Sequence, residues 1–162
     1  MRWASDMTAR ITCSISKIAT LGRHASTVEA ERRARAVLDE IGLGAKADLP
    51  AGGLTLAERK RLELARALGT EPRLLLLDEV MSGLTDAETE RIVELVRTVN
   101  RRGVAILLIE HVMRAVMSLA QRIVVLNYGE RIAEGRPEAV ANDPRVIEAY
   151  LGDEEILRNA PA

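Results

Sequence analysis

Leu74–Glu79 has the sequence LLLLDE, four consecutive leucines followed directly by two carboxylates. A short continuous apolar run is typical of a strand buried on both faces, and we predict such a strand over Arg73–Leu77. Ligands of open parallel sheets bind at the carboxyl ends of the strands. Asp78 and Glu79 are therefore candidates to hold Mg²⁺ on nucleotide phosphates and to polarise a water, respectively. Taken alone, the pair is equally typical of a solvated turn.

The chain after this segment continues the alternation of strand and helix. We predict a helix over Asp86–Arg102, a buried strand over Val104–Ile109, a helix over Val112–Ala120 and a strand over Ile123–Leu126. A turn at Asn127–Glu130 leads into Ile132 and Ala133, and two short helices follow from Pro137. Strands separated by helices predict a parallel α/β sheet with right-handed crossovers.

His111 lies just beyond the predicted strand Val104–Ile109. If the two strands are neighbours, its imidazole would stand close to Asp78 and Glu79 and could sense a γ-phosphate or position a water. A lone histidine at a strand end is more typical of a surface or hydrogen-bonded residue.

The chain before Leu74 is helical in pattern. Apolar residues at steps of three and four predict a helix over Thr27–Ile41, and a connector with glycine and proline covers Gly42–Gly53. Thr55 precedes Glu58 by three residues, which is the spacing of a capping box. We therefore predict a second helix that begins after Thr55 and ends at Gly69.

Composition excludes several classes of protein. The 162 residues carry 23 Lys+Arg against 24 Asp+Glu, so a strongly basic nucleic-acid clamp is excluded. Aromatic residues make up only 2%, which argues against a stacking platform for single strands. The single cysteine excludes an internal disulfide framework and fits a reducing cytoplasm. No apolar stretch approaches the ~20 residues that span a bilayer, so a membrane role must come through a partner.

The order of these motifs resembles the ATP-binding subunits of ABC transporters. Leu54–Glu58, followed by RKRLELARAL, is similar to the family's signature loop and helix, and LLLLDE is similar to its Walker B strand. SGLTDAE at Ser82–Glu88 resembles the D-loop, and His111 in LLIEHVM resembles the switch histidine. The ending YGERIAEGRPEAVANDPRVIEAYLG is similar to the C-terminal extension of subunits that power importers of branched-chain amino acids and related small solutes.

The resemblance implies an α/β fold, the C-terminal part of a P-loop NTPase with parallel strands, preceded by part of the helical subdomain. It implies a partial nucleotide-binding domain over residues 26–152, with a C-terminal extension over 128–152. Residues 1–25 form a poorly patterned N-terminus, and residues 153–162 form a tail.

The resemblance also implies roles for individual residues. Asp78 would hold Mg²⁺ through water, Glu79 would act as the general base, and His111 would be the second catalytic residue. The residues expected to contact the nucleotide are Leu54, Thr55, Leu56, Ala57, Glu58, Ser82 and Gly83. ATP and Mg²⁺ would be shared with a complete partner subunit in a head-to-tail dimer. Membrane permease subunits would hold the protein at the cytoplasmic face of the inner membrane, and no nucleic acid is expected.

The sequence departs from the family at several places. Leu56 and Ala57 stand where the signature usually has two glycines, and Glu58 stands where it has glutamine. The sequence contains no G-x-x-x-x-G-K-[ST] loop, and its one glutamine, Gln121, comes too late for the family's Q-loop. We therefore expect the isolated chain to be an inactive part of a transport ATPase. The alternative is a non-catalytic half-cassette that pairs with or regulates a complete subunit. A soluble ABC protein of repair or translation fits the single-domain length and the transporter-like tail less well.

Overall fold

The structure is a computed structural model that describes Ile15 and residues 27–150. The described residues fall into two compact units, divided between Leu107 and Leu108. The predicted segment 1–25, apart from Ile15, and the predicted tail 153–162 lie outside the described residues. The predicted domain over 26–152 includes both units and stays a prediction.

Two helices and a connector open the first unit. Helix α1 spans Thr27–Glu40 and helix α2 spans Leu56–Leu68, with short 3-10 helices at Gly44–Lys46 and Ala51–Gly53 between them. The helices pack through a common apolar cluster whose members include Ile15, Ala34, Leu38, Leu62 and Ala65. Both predicted helices are confirmed to within a residue or two at their ends.

The sheet of the first unit follows. Strand β1 (Leu74–Asp78) and strand β2 (Ala105–Ile109) are hydrogen-bonded neighbours in a parallel arrangement, and helix α3 (Asp86–Arg101) connects them. The N–H of Ala105 donates to the carbonyl of Arg73 at 3.0 Å, which begins the ladder. The predicted parallel α/β unit is confirmed.

The prediction that these two strands are buried on both faces is wrong. In β1, Leu75 and Leu77 are buried, whereas Leu74 and Leu76 are 54% and 66% exposed. Leu107 and Ile109 of β2 are also exposed. Successive side chains of a strand point to opposite faces, and only one face of β1 is packed by the described residues. A continuous apolar run therefore does not establish burial on both sides.

The second unit is a hairpin with short helices. Helix α4 (Met113–Leu119) precedes strands β3 (Ile123–Asn127) and β4 (Glu130–Gly135), which pair antiparallel. Tyr128 and Gly129 form the turn with φ values of 48° and 82°, the positive values that a two-residue hairpin turn of type I′ requires. Helices α5 (Pro137–Ala141) and α6 (Pro144–Tyr150) follow, as predicted, and contribute Val140 and Val146 to the core.

None of the helices in residues 27–150 combines the length and the apolar character that crossing a bilayer requires.

Candidate functional site

The candidate site of the first unit lies where β1 ends. Asp78 is the last residue of the strand, and Glu79 follows it with an exposed side chain and a φ of 47°. A non-glycine residue in the left-handed region is uncommon and is held there only when its surroundings fix it. Lys60 contributes to this, because its Nζ donates to the carbonyl oxygen of Glu79 at 3.0 Å. The reversal of the chain after β1 is thereby tied to helix α2.

The turn from β1 to α3 also packs on the first residue of α2. The N–H of Ser82 donates to the carbonyl of Glu79 at 3.3 Å, and the adjacent Met81 is buried. Gly83 has a φ of 76°, and a Cβ at this position would lie 3.2 Å from Cδ2 of Leu56. The residues that resemble the D-loop and those that resemble the signature loop are therefore neighbours within one unit.

The N-terminus of α2 is a complete capping box, as predicted. Oγ1 of Thr55 accepts from the N–H of Glu58 at 3.3 Å, and Oε2 of Glu58 accepts from the N–H of Thr55 at 3.1 Å. Among the residues that the structure describes, the N–H groups of Leu56 and Ala57 have no acceptor. Two backbone donors at the positive end of a 13-residue helix are the arrangement that binds phosphate in many proteins.

The charge of Glu58 is balanced by a neighbour from the connector. Nζ of Lys46 lies 2.5 Å from Oε1 of Glu58, whose side chain is only 14% exposed. This hydrogen bond, and after it the one from the Thr55 N–H, lowers the pKa of Glu58 below its ordinary value. The carboxylate that takes the place of the family's glutamine therefore does not present an uncompensated negative charge to the helix N-terminus.

The structure separates the predicted nucleotide-contacting residues into two groups. The side chains of Leu54 and Ala57 are 6% and 8% exposed and belong to the packed interior, so only their backbone groups can reach a ligand. Thr55 and Leu56 are exposed, and Ser82 is half-buried.

His111 belongs to the second unit. It is exposed and lies between the end of β2 and the start of α4. Its predicted proximity to Asp78 and Glu79 stays a prediction, because these carboxylates belong to the first unit.

Asp78 suits magnesium held jointly with a nucleotide. Magnesium keeps several waters and usually takes one or two carboxylates together with phosphate oxygens. Asp78 is an exposed carboxylate at a strand end, which fits that role. Within the described ranges no three His, Cys, Asp or Glu side chains cluster to form an all-protein metal site.

Two features of the site were not predicted. Thr85 and Glu88 form a second capping box at the start of α3, in which the Thr85 N–H donates to Glu88 at 2.9 Å. The spacing T-x-x-E was a sufficient signal for it. The hydrogen bond from Lys60 to Glu79 joins residues 19 apart and has no local sequence signal.

Comparison with known families gives two matches. Residues 4–82 match the family described as ABC transporter. Residues 130–156 match the family described as branched-chain amino acid ATP-binding cassette transporter.

Curated relatives are similar over most of this chain. The high-affinity branched-chain amino acid transport ATP-binding protein LivG of Escherichia coli (strain K12) is 44% identical over 126 residues, which are 77% of this chain and 49% of LivG. The corresponding protein BraF of Pseudomonas aeruginosa is 43% identical over 72% of this chain and 46% of BraF. The chain thus spans about half the length of the curated relatives it matches.

Solved structures agree on the fold. An ATP-binding cassette of an ABC transporter in its ADP conformation superposes with a TM-score of 0.78 at 24% identity, over 93% of this chain and 65% of that one. A nucleotide-free cassette gives the same TM-score over 93% of this chain and 66% of the other. The described residues therefore have the fold of an ATP-binding cassette.

Proposed function

The chain belongs to the ABC transporter family, and from this membership we propose that it is part of an ATP-binding and ATP-hydrolysing subunit that drives import of branched-chain amino acids or related small solutes. The substrate class is supported by the match of residues 130–156 and by the names of the relatives LivG and BraF.

The observation that carries the proposal is the contact between the start of α2 and the turn after β1. Leu56 and Ala57 offer two N–H groups without an acceptor among the described residues. The turn after β1 contacts the same helix at two points. Gly83 lies against Leu56, and the Glu79 carbonyl accepts a hydrogen bond from Lys60. Backbone donors at a helix N-terminus are suited to a phosphate group, and carboxylates at a strand end are suited to a metal and a water.

We assign the roles accordingly. The N–H groups of Leu56 and Ala57 bind phosphate oxygens, with the hydroxyls of Thr55 and Ser82 as additional donors and Leu54, Glu58 and Gly83 shaping the loop. Asp78 would hold Mg²⁺ through water, and the ion would neutralise phosphate charge. Glu79 accepts a proton from the attacking water. His111 is the second catalytic residue that the family resemblance implies.

The proposed assembly is a head-to-tail dimer with a second ABC ATPase subunit. ATP and Mg²⁺ are then shared, since each nucleotide contacts the signature loop of one subunit and the phosphate-binding loop of the other. Permease subunits would hold this dimer at the cytoplasmic face of the inner membrane. Because the sequence has no G-x-x-x-x-G-K-[ST] loop, we propose that the isolated chain does not turn over ATP.

A charge placed at the first position of α2 tests the phosphate-binding role. Leu56→Asp suits the helix, because acidic residues stabilise the first turn, but it sets a carboxylate beside the two open N–H groups. In complexes with a complete subunit such as LivG, we expect ATP-dependent turnover to fall about tenfold or more. Ala36→Asp adds the same charge on an exposed position of α1 and should leave turnover unchanged. Equal rates for both variants would contradict the proposal.

Glu79→Gln distinguishes the ATPase from the non-catalytic half-cassette. Loss of a general base lowers turnover about 10²-fold to 10⁴-fold. A half-cassette that contributes only its helix N-terminus would lose turnover in Leu56→Asp and keep it in Glu79→Gln. Glu63→Gln, an exposed position on α2, is the matched control.

A further inference from the structure

The second unit contains a cavity of about 600 Å³ that none of the proposed nucleotide residues lines. Its polar lining side chains are Gln121, Arg122, Arg131, Glu134, Arg136 and Arg145. Four arginines thus face one cavity together with a single carboxylate, Glu134.

The carboxylate of Glu134 is shared by two of the arginines. Arg122, just before β3, forms an ion pair with it across the hairpin, and Arg131 forms one along β4 itself. Each guanidinium has five N–H donors, and one carboxylate cannot accept hydrogen bonds from all the donors of two guanidinium groups. The side chains of Arg122 and Arg131 are 74% and 64% exposed, so their remaining donors are accessible from the cavity.

Arg145 is held in place by a separate partner. Its Nη2 lies 2.9 Å from Oδ2 of Asp143, and its Nε lies 3.2 Å from Oδ1. This pair lowers the pKa of Asp143 and raises that of Arg145. Arg145 therefore contributes an oriented guanidinium but little net charge.

Arg136 supplies the uncompensated charge. Within residues 27–150 its guanidinium makes no hydrogen bond or ion pair, although it lines the same cavity. It precedes Pro137, and its carbonyl accepts from the N–H groups of Ala139 and Val140 at 3.1 and 3.0 Å. Its backbone is thus fixed by the start of α5 while its side chain stays available.

From this arrangement we propose that the cavity is a binding site for a small molecule that carries two adjacent anionic groups, phosphate or carboxylate. Arginine forks bind such groups through paired, charge-assisted hydrogen bonds. One anionic group would meet Arg136, and the other would meet the donors that Arg122 and Arg131 leave open.

Titration calorimetry of the full chain with sodium pyrophosphate, in EDTA and without Mg²⁺, tests the proposal. We expect saturable 1:1 binding that Arg136→Gln weakens about tenfold and that Arg136→Lys weakens less. Arg32→Gln removes an arginine of similar exposure from α1 and should have no effect. Absence of saturable binding, or equal weakening by Arg32→Gln, would overturn the proposal.

Leu56→Asp distinguishes the cavity from the N-terminus of α2. Binding that Arg136→Gln weakens and Leu56→Asp does not supports the cavity. If Leu56→Asp abolishes pyrophosphate binding while Arg136→Gln does not, the ligand sits at α2, and the cavity proposal fails without affecting the proposed ATPase.

Discussion

The carboxylate of Glu58 has two structural partners at once. One oxygen accepts from the Thr55 N–H and closes the capping box, and the other pairs with Lys46. The first contact is encoded in four consecutive residues and was predictable. The second joins residues 12 apart through the connector and was not. A substitution that looked unfavourable for anion binding in the sequence is therefore compatible with it in the structure.

Glu58 should make the stability of the protein depend on pH. The pKa of Glu58 in the folded protein lies below the ordinary value of 4.5. Its contribution to the free energy of unfolding is therefore present above pH 4.5 and is lost as the pH falls through the pKa of the folded protein. Glu58→Gln keeps an acceptor for Thr55 but loses the ion pair with Lys46. We expect Glu58→Gln to have a lower urea midpoint than the parent protein at pH 7. The difference between the two midpoints should become smaller below pH 4.5.

Glu63→Gln on the same helix serves as the control for this experiment. Urea midpoints measured at pH 7, 5 and 3.5 should converge for the parent protein and Glu58→Gln as pH falls. Curves that stay parallel over this range would show that the ion pair does not contribute to stability.

The starts of helices α2 and α3 were predictable because capping boxes between residues three apart set them. Thr55 and Glu58 start α2, and Thr85 and Glu88 start α3 in the same way, thirty residues later. Strand burial was not predictable from β1 itself. Four leucines specify a strand, but whether its second face is covered depends on residues distant in sequence.

Gly83 connects these elements, and its backbone conformation should decide the cost of replacing it. Gly83→Ala forces a residue with a Cβ to φ 76°, which costs about 1–2 kcal/mol of unfolding free energy. The contact with Leu56 involves the end of a flexible side chain and adds little, so the double variant with Leu56→Ala should recover little stability. Gly83→Asn should cost less than Gly83→Ala, since asparagine tolerates this region.

Gly53→Ala is the matched control, because no atom lies within 4 Å of its Cβ position and its φ is not in the left-handed region. It should be neutral, or stabilising by about 0.4–1 kcal/mol. Equal destabilisation of the Gly83 and Gly53 variants in urea unfolding would contradict the role of the turn.

In the molecule as a whole, the candidate functional residues are divided between two units. Asp78 and Glu79 lie in the first, and His111 and the arginine cavity lie in the second. The motifs of the proposed nucleotide site were recognisable because each occupies a few consecutive residues. The cavity was not recognisable, because Arg122 reaches Glu134 only after the β3–β4 hairpin has formed.

Each unit also exposes apolar side chains on its sheet. In the first unit, Leu74 and Leu76 point away from the packed face that holds Leu75 and Leu77. Exposed apolar side chains on a short sheet favour association. The neighbouring residues Leu76 and Leu77 therefore offer a matched pair for a test of which face supports the fold.

Leu77→Thr removes a buried side chain and places a hydroxyl in the interior, so it should cost about 2–4 kcal/mol of unfolding free energy. Leu76→Thr makes the same chemical change on the exposed face and suits a strand, so the expected change is within ~0.5 kcal/mol. Sedimentation velocity over a concentration series should show less self-association for Leu76→Thr than for the parent protein. If Leu76→Thr were as destabilising as Leu77→Thr, the outer face of β1 would be packed in solution, and the fold of this unit would depend on whatever covers it.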